Sequence, residues 1–183
     1  MRLFLALELE EPVRDRLLDT AAALKKQCRG RWTRRENLHL TLEFLGELPD
    51  AREVIEVMDA VSAPPFDLTL TGLGRFRQEG GDLIWYGVTS SPALLDLQQQ
   101  LHGELKERGF RLERRPYKPH LTLGRQVVGA GELSGYPAPR ITQRVKEFSL
   151  MESRRVDGKL TYTALYRRRL EGRKGEKPHE IGI

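Results

Sequence analysis

Two short segments of this 183-residue chain carry the same four residues, His39-Leu40-Thr41-Leu42 and His120-Leu121-Thr122-Leu123. The chain has only four histidines, so half of them stand in one repeated context. In a strand the side-chain period is two, so His and Thr at i and i+2 share a face and the leucines take the other. Each copy therefore offers one imidazole and one hydroxyl against an apolar row. Two such strands facing each other would bring two imidazoles and two hydroxyls to one pocket. Imidazole exchanges a proton near neutral pH and hydroxyls bond phosphate oxygens, so the set suits acid–base chemistry on a phosphate. For one histidine alone, a structural strand residue is the better reading; the matched pair reverses that preference.

The elements that must position these residues follow from periodicity. Leu3, Leu5, Leu7 and Leu9 alternate as in a strand. Pro12 suits a first helical turn, the stripe Val13, Leu17, Leu18, Ala21 and Leu24 runs to about Cys28, and Gly30 can end the helix. Residues 37–45 alternate, with Leu38, Leu40, Leu42 and Phe44 on one face and Asn37, His39, Thr41 and Glu43 on the other. Asp50 with Glu53 resembles a capping box for a helix to about Val61. Strands are expected near 66–76 and 82–89. A helix opens at Ser91-Pro92 and closes at Gly109, and strands near 110–114 and 119–127 follow. A final hairpin, about 143–154 and 159–169, turns at Val156-Asp157-Gly158. The charged, Gly-rich residues 171–183 read as a loose tail.

The duplication extends beyond the tetrapeptide. Each histidine strand follows a helix, a glycine and a basic connector: Arg31, Arg34 and Arg35 in the first, Arg111, Arg114, Arg115 and Lys118 in the second. Such connectors suit an RNA backbone and equally suit solvent. Arg125 is five residues from His120, which strict alternation assigns to the leucine face. A bulge or a strand end at Gly124 would re-aim it, so irregular backbone is expected there. His102 reads as a surface helix residue and His179 as an inert tail residue.

Composition narrows the classes. Apolar residues make up 39% of the chain, enough for a globular core. The net charge of +5 and pI near 9.5 favour an anionic partner or simply a solvated surface. The single Cys28 excludes an intramolecular disulfide and a cysteine-based zinc site, and no histidine pair has metal-ligand spacing. Glu8 and Glu10 interrupt the apolar N-terminus, so it reads as a strand rather than a signal peptide, and no stretch approaches a membrane span. A cytoplasmic, membrane-free monomer without an obligate protein partner is expected.

The paired motifs resemble those of the 2H phosphoesterase superfamily. Within it Arg2–Leu7, Asn37–Gly46 and Pro119–Arg125 resemble the RNA 2′,3′-cyclic phosphodiesterases, also called 2′-5′ RNA ligases. The resemblance spans residues 1–170 as one domain. It implies an α+β, bilobal pseudo-twofold fold, with two antiparallel sheets lining a central cleft and helices packed outside. It implies hydrolysis of an RNA 2′,3′-cyclic phosphate end to a 2′-phosphomonoester, without metal or cofactor. By position, His39 matches the proton donor and His120 the water-activating base. Thr41, Thr122 and Arg125 match phosphate-binding residues. Phe4 shares the histidine face of its sheet in this scheme, where it would either stack on a base or pack in the core. The alternatives are a non-catalytic RNA-binding module, or action on small cyclic nucleotides or 2′-5′ linkages.

Overall fold

The computed structural model describes residues 1–172. Along the chain run β1 (Arg2–Glu8), α1 (Glu11–Lys25), β2 (Arg29–Trp32), a 3-10 turn (Arg35–Asn37), β3 (His39–Glu47), α2 (Arg52–Ala60), β4 (Phe66–Phe76) and β5 (Asp82–Val88). Then come α3 (Pro92–Glu107), β6 (His120–Val128), a 3-10 turn (Leu133–Gly135), β7 (Ile141–Val145), β8 (Glu147–Val156) and β9 (Lys159–Arg169). The strands form two antiparallel sheets, ordered β3-β1-β8-β9 and β2-β6-β5-β4-β7. Among the described residues no helix is long and apolar enough to cross a membrane.

The helices form for the expected reasons. Leu17, Ala21 and Leu24 keep α1's apolar stripe buried, and Pro12 sits in its first turn, where no backbone donor is lost. Ser91 caps α3 by accepting the Leu94 amide at 3.3 Å. Burying a leucine such as Leu17 or Leu101 contributes about 1.5–3 kcal/mol. One apolar core joins β1, β3, α1 and α2 to β4, β5, β6 and α3. Gln143 ties the sheets together, accepting the Glu10 amide at 2.9 Å and donating to the Glu8 carbonyl at 3.1 Å. Asp157 and Gly158 turn the β8–β9 hairpin with φ of 51° and 75°, the left-handed pair that a two-residue turn requires.

Several sequence expectations need correction. Helix α1 ends at Lys25, and Gly30 lies inside β2, a strand not foreseen. A Cβ on Gly30 would stand 2.7 Å from Val127 Cγ2, so the glycine serves close strand approach instead of a helix end. Residues 110–114 form no strand, because β6 already has β2 on one side and β5 on the other. The segment 143–154 is two strands, β7 and the start of β8, which belong to different sheets. Asp50 accepts the Arg52 amide at 2.9 Å and makes no capping box; α2 begins without a side-chain cap. Of the tail, Glu171 bridges to Ala63, and residues 173–183, with His179, lie outside the described residues.

Candidate active site

The duplication is structural down to the register. In the first unit β1 pairs with β3, and Glu8 faces His39, Leu7 faces Leu40 and Ala6 faces Thr41. In the second, β5 pairs with β6, and Gly87 faces His120, Tyr86 faces Leu121 and Trp85 faces Thr122. Each ladder then slips by one residue: Leu5 pairs with Glu43 and Ile84 with Gly124. Both strands therefore carry a bulge immediately after the His-x-Thr. A bulge inverts the alternation beyond it. The irregular backbone expected at Gly124 is present, and Arg125 returns to the face of His120 and Thr122, exposed. Gly124 is also forced by packing, since a Cβ there would lie 2.8 Å from the Trp32 ring.

The same slip in β3 overturns two face assignments. Glu43, expected beside His39, is buried on the opposite side against α3, and Phe44, expected in the leucine row, is exposed on the histidine side. Glu43 accepts from Gln98 Nε2 at 3.0 Å and lies 3.2 Å from His102 Nδ1. His102 is thus no free surface residue. Burial pushes the Glu43 carboxyl above its ordinary range, against the pull of His102 and Gln98.

The two imidazoles are held alike. His39 Nδ1 lies 2.7 Å from the Asn37 carbonyl, and His120 Nδ1 lies 2.8 Å from the Lys118 carbonyl. A carbonyl only accepts, so each Nδ1 carries a proton and each Nε2 is left for chemistry. His39 Nε2 is 2.8 Å from Thr41 Oγ1. Aromatic rings brace both imidazoles: Phe4 and Tyr162 at 5.0 and 5.2 Å from His39, and Phe76 edge-on at 5.0 Å from His120.

A reciprocal pair of hydrogen bonds sets one strand against the other. Thr33, in the connector before β3, donates its hydroxyl to the Thr122 carbonyl at 3.0 Å. Tyr117, in the connector before β6, donates its hydroxyl to the Thr41 carbonyl at 2.7 Å. Each connector thus clasps the threonine of the other motif. Burial pushes the Tyr117 phenol well above its ordinary value, so it stays a donor.

Burial is also the largest influence on His39, and it lowers the imidazole's proton affinity. The Asn37 carbonyl opposes this, while Arg125, Arg14 and His120 reinforce it. Arg125 and His120 therefore lie within electrostatic reach of His39, and Arg125 makes no ion pair among the described residues. Two cations of the first connector are occupied: Arg35 pairs with Glu11 and Asp15, and Arg34 with Glu36 at 3.1 Å, while Arg31 is exposed. Arg111, Arg114 and Lys118 in the second are exposed.

Sequence reasoning gave no role to Asn37 or Tyr162. The buried Asn37 amide donates to the Leu160 carbonyl at 2.9 Å, and its oxygen accepts the Tyr162 amide at 3.4 Å. It pins to β9 the turn whose carbonyl orients His39. Its partners lie more than a hundred residues away, so no local signal marks it. A cavity of about 340 Å³ beside His39 is lined by Glu8, Arg14, Asn37, Tyr162 and Arg167. In it the Arg167 guanidinium holds the Glu8 carboxyl below its ordinary range. Phe4 is covered by its neighbours, with 3% of its surface exposed, so its ring supports His39 from beneath.

The comparisons with known proteins agree with this architecture. A family model described as the 2'-5' RNA ligase superfamily matches residues 11–157. The RNA 2',3'-cyclic phosphodiesterase of Thermotoga maritima is 30% identical, over 94% of this chain and 97% of its own. That of Escherichia coli K12 is 32% identical, over 91% and 94%. A crystal structure of Escherichia coli LigT complexed with 3'-AMP superposes with a TM-score of 0.78 at 31% identity, covering 92% of this chain and 97% of that one. With matched register, matched bulges and these relatives together, the chain belongs to the 2'-5' RNA ligase superfamily of 2H phosphoesterases.

Proposed function

We propose that this protein hydrolyses the 2′,3′-cyclic phosphate at the end of an RNA to a 2′-phosphomonoester by two-histidine acid–base catalysis. The observation that carries the reading is the matched mounting of His39 and His120, each with Nδ1 bonded to a main-chain carbonyl. His120 Nε2 takes a proton from water as the water oxygen bonds to phosphorus. The bond from phosphorus to O3′ breaks, and His39 Nε2 gives its proton to O3′. Thr41, Thr122 and Arg125 hold the non-bridging oxygens and meet their charge, which is why no metal is required. Each proton transfer contributes typically ~10²–10⁴-fold. With an RNA 5′-hydroxyl in place of water as the incoming group, the same step makes a 2′-5′ linkage, and its reversal, with O3′ attacking and the 5′-hydroxyl leaving, re-forms the cyclic phosphate.

The donor role puts a demand on His39, whose burial favours the neutral ring. The negative charge of the bound phosphate supplies the opposite bias and raises the imidazole's proton affinity in the complex. All of these residues come from one chain, so one copy carries the whole site. The relatives named for this phosphodiesterase activity support the substrate class. The test is to incubate the purified protein with an RNA ending in a 2′,3′-cyclic phosphate and locate the product phosphate by phosphorus NMR. A 2′-phosphomonoester is expected. No turnover, or a 3′-phosphomonoester, overturns the reading.

A further inference from the structure

The edge strand β2 sets a second arginine beside the site. Arg31 of β2 pairs directly with Arg125 of β6, so the two side chains leave the sheet on one face. The neighbours of Arg31 fix which face that is. A side chain on Gly30 would run into the buried Val127, and the Trp32 ring covers Gly124, so both residues turn to the core side. Arg31 between them takes the other side, which is the face of His120, Thr122 and Arg125.

Like charges directly opposite on paired strands, with Cβ atoms about 4.5–5.5 Å apart, repel each other. Other arginines of this protein have found acids: Arg75 pairs with Asp82 at 3.0 Å and Arg167 with Glu8 at 2.8 Å. Arg31 and Arg125 are both exposed, and among the described residues neither makes an ion pair. Charge on an edge strand discourages pairing with a second sheet, but any position along β2 would serve that end. A guanidinium placed opposite Arg125, on the face of a candidate catalytic histidine, is placed to meet an anion.

The two arginines divide the work by position. Arg125 acts electrostatically on His39, so it stands close to the reacting phosphate. Arg31 lies one strand further out. An RNA chain carries its next anion one ribose away from the cyclic phosphate, at the phosphodiester on the 5′ side of the terminal nucleotide. Guanidiniums spreading from adjacent strands can each fork onto one phosphate, and the repulsion between them is relieved when both are met.

We infer that Arg31 binds the backbone phosphodiester next to the cyclic end, and that it makes the protein select RNA chains over single cyclic nucleotides. This rests on the function proposed above and names a residue that sets substrate length for it. Because the contact is to phosphate, the preference is independent of the base.

The test compares the parent and Arg31→Gln on two forms of an adenosine dinucleotide ending in a 2′,3′-cyclic phosphate. In one the internal linkage is a phosphodiester; in the other it is an uncharged methylphosphonate. In the parent the ratio of the two kcat/KM values should be about tenfold at low salt in favour of the phosphodiester, and Arg31→Gln should bring it to about one. Taking the ratio within one preparation cancels any loss of folded enzyme. The salt dependence gives a second reading, since each phosphate contact on a single strand adds about −0.7 to the slope of log affinity against log salt. The parent's slope should be steeper for the phosphodiester by about that amount, and the difference should vanish in Arg31→Gln. Equal rates on the two forms in the parent, or a ratio unmoved by Arg31→Gln, overturns the assignment. If the parent turns over neither form, it is the proposed function that fails. The Arg31 site is then read from binding of the dinucleotide 2′-phosphate, where equal Kd values for the phosphodiester and methylphosphonate forms overturn it and a tighter phosphodiester form, lost in Arg31→Gln, supports it.

Discussion

Removing the side chain of Asn37 should separate the positioning of His39 from its chemistry. Asn37→Ala deletes two hydrogen bonds, one of 2.9 Å to the Leu160 carbonyl and one of 3.4 Å from the Tyr162 amide. A protein hydrogen bond contributes about 0.5–1.5 kcal/mol net. The Tyr162 bond is long and belongs at the low end. The Leu160 carbonyl still accepts from Arg34 at 3.2 Å, so it is not left bare. The loss should be about 1–2 kcal/mol. For a chain of this size that lowers Tm by roughly 2–8 °C. The imidazole and its carbonyl acceptor both remain, but the turn that carries the carbonyl loses its tie to β9. A misplacement of about 1 Å costs up to ~10²-fold in rate, so kcat should fall between ten- and a hundredfold on a cyclic phosphate substrate, with KM within about threefold. The assay pairs thermal melts with steady-state kinetics on a nucleoside 2′,3′-cyclic phosphate. A kcat within twofold of the parent, despite the expected fall in Tm, would refute the claim that this clasp orients His39. An unchanged Tm would refute the hydrogen-bond accounting.

The remaining expectations can be checked with the same preparations. His39→Ala and His120→Ala should each reduce kcat by at least ~10²-fold with little change in Tm; activity within tenfold of the parent removes that histidine from the mechanism. Because burial depresses His39 in the free protein, the alkaline limb of kcat/KM should lie at lower pH than the alkaline limb of kcat, which reports the complex; coincident limbs would contradict its role as donor. The same depression acts on stability, since the unfolded chain protonates His39 near pH ~6.5 and the folded chain does not. Its effect is absent above that pH, and stability is lost as pH falls from there to the lower folded value, where the loss is complete. Glu43→Gln should raise Tm at pH 7, because burial holds the carboxyl above its ordinary value and makes its charge costly; the gain should vanish as pH falls toward the unfolded value of about 4.5, and a lower Tm at pH 7 would show that the bonds to His102 and Gln98 outweigh the burial. Turnover should survive exhaustive chelation, and its loss with recovery on adding a divalent ion would overturn the phosphate-binding set of Thr41, Thr122 and Arg125.

The sequence by itself determined the repeated unit. Two His-x-Thr strands, each preceded by a helix and a basic connector, are legible because strand alternation is local and a tetrapeptide that occurs twice carries its own control. Arg125's return to the histidine face was also legible, since its distance from His120 and the glycine before it called for irregular backbone, a bulge or a strand end; the structure has the bulge. The equal slip in β3 was not. No glycine marks it there, and residue 43 is a glutamate whose burial depends on Gln98 and His102 from α3. That slip moved Phe44 out of the core and onto the histidine face, and Phe4 under it. Likewise the second half of the 143–154 segment joined another sheet, because strand pairing is a contest among all available edges. The orientation of both imidazoles, the crossed clasps of Thr33 and Tyr117, and the pinning of Asn37 to β9 all join residues far apart in the chain. Their energies depend on distance and burial, which exist only once the two sheets have met.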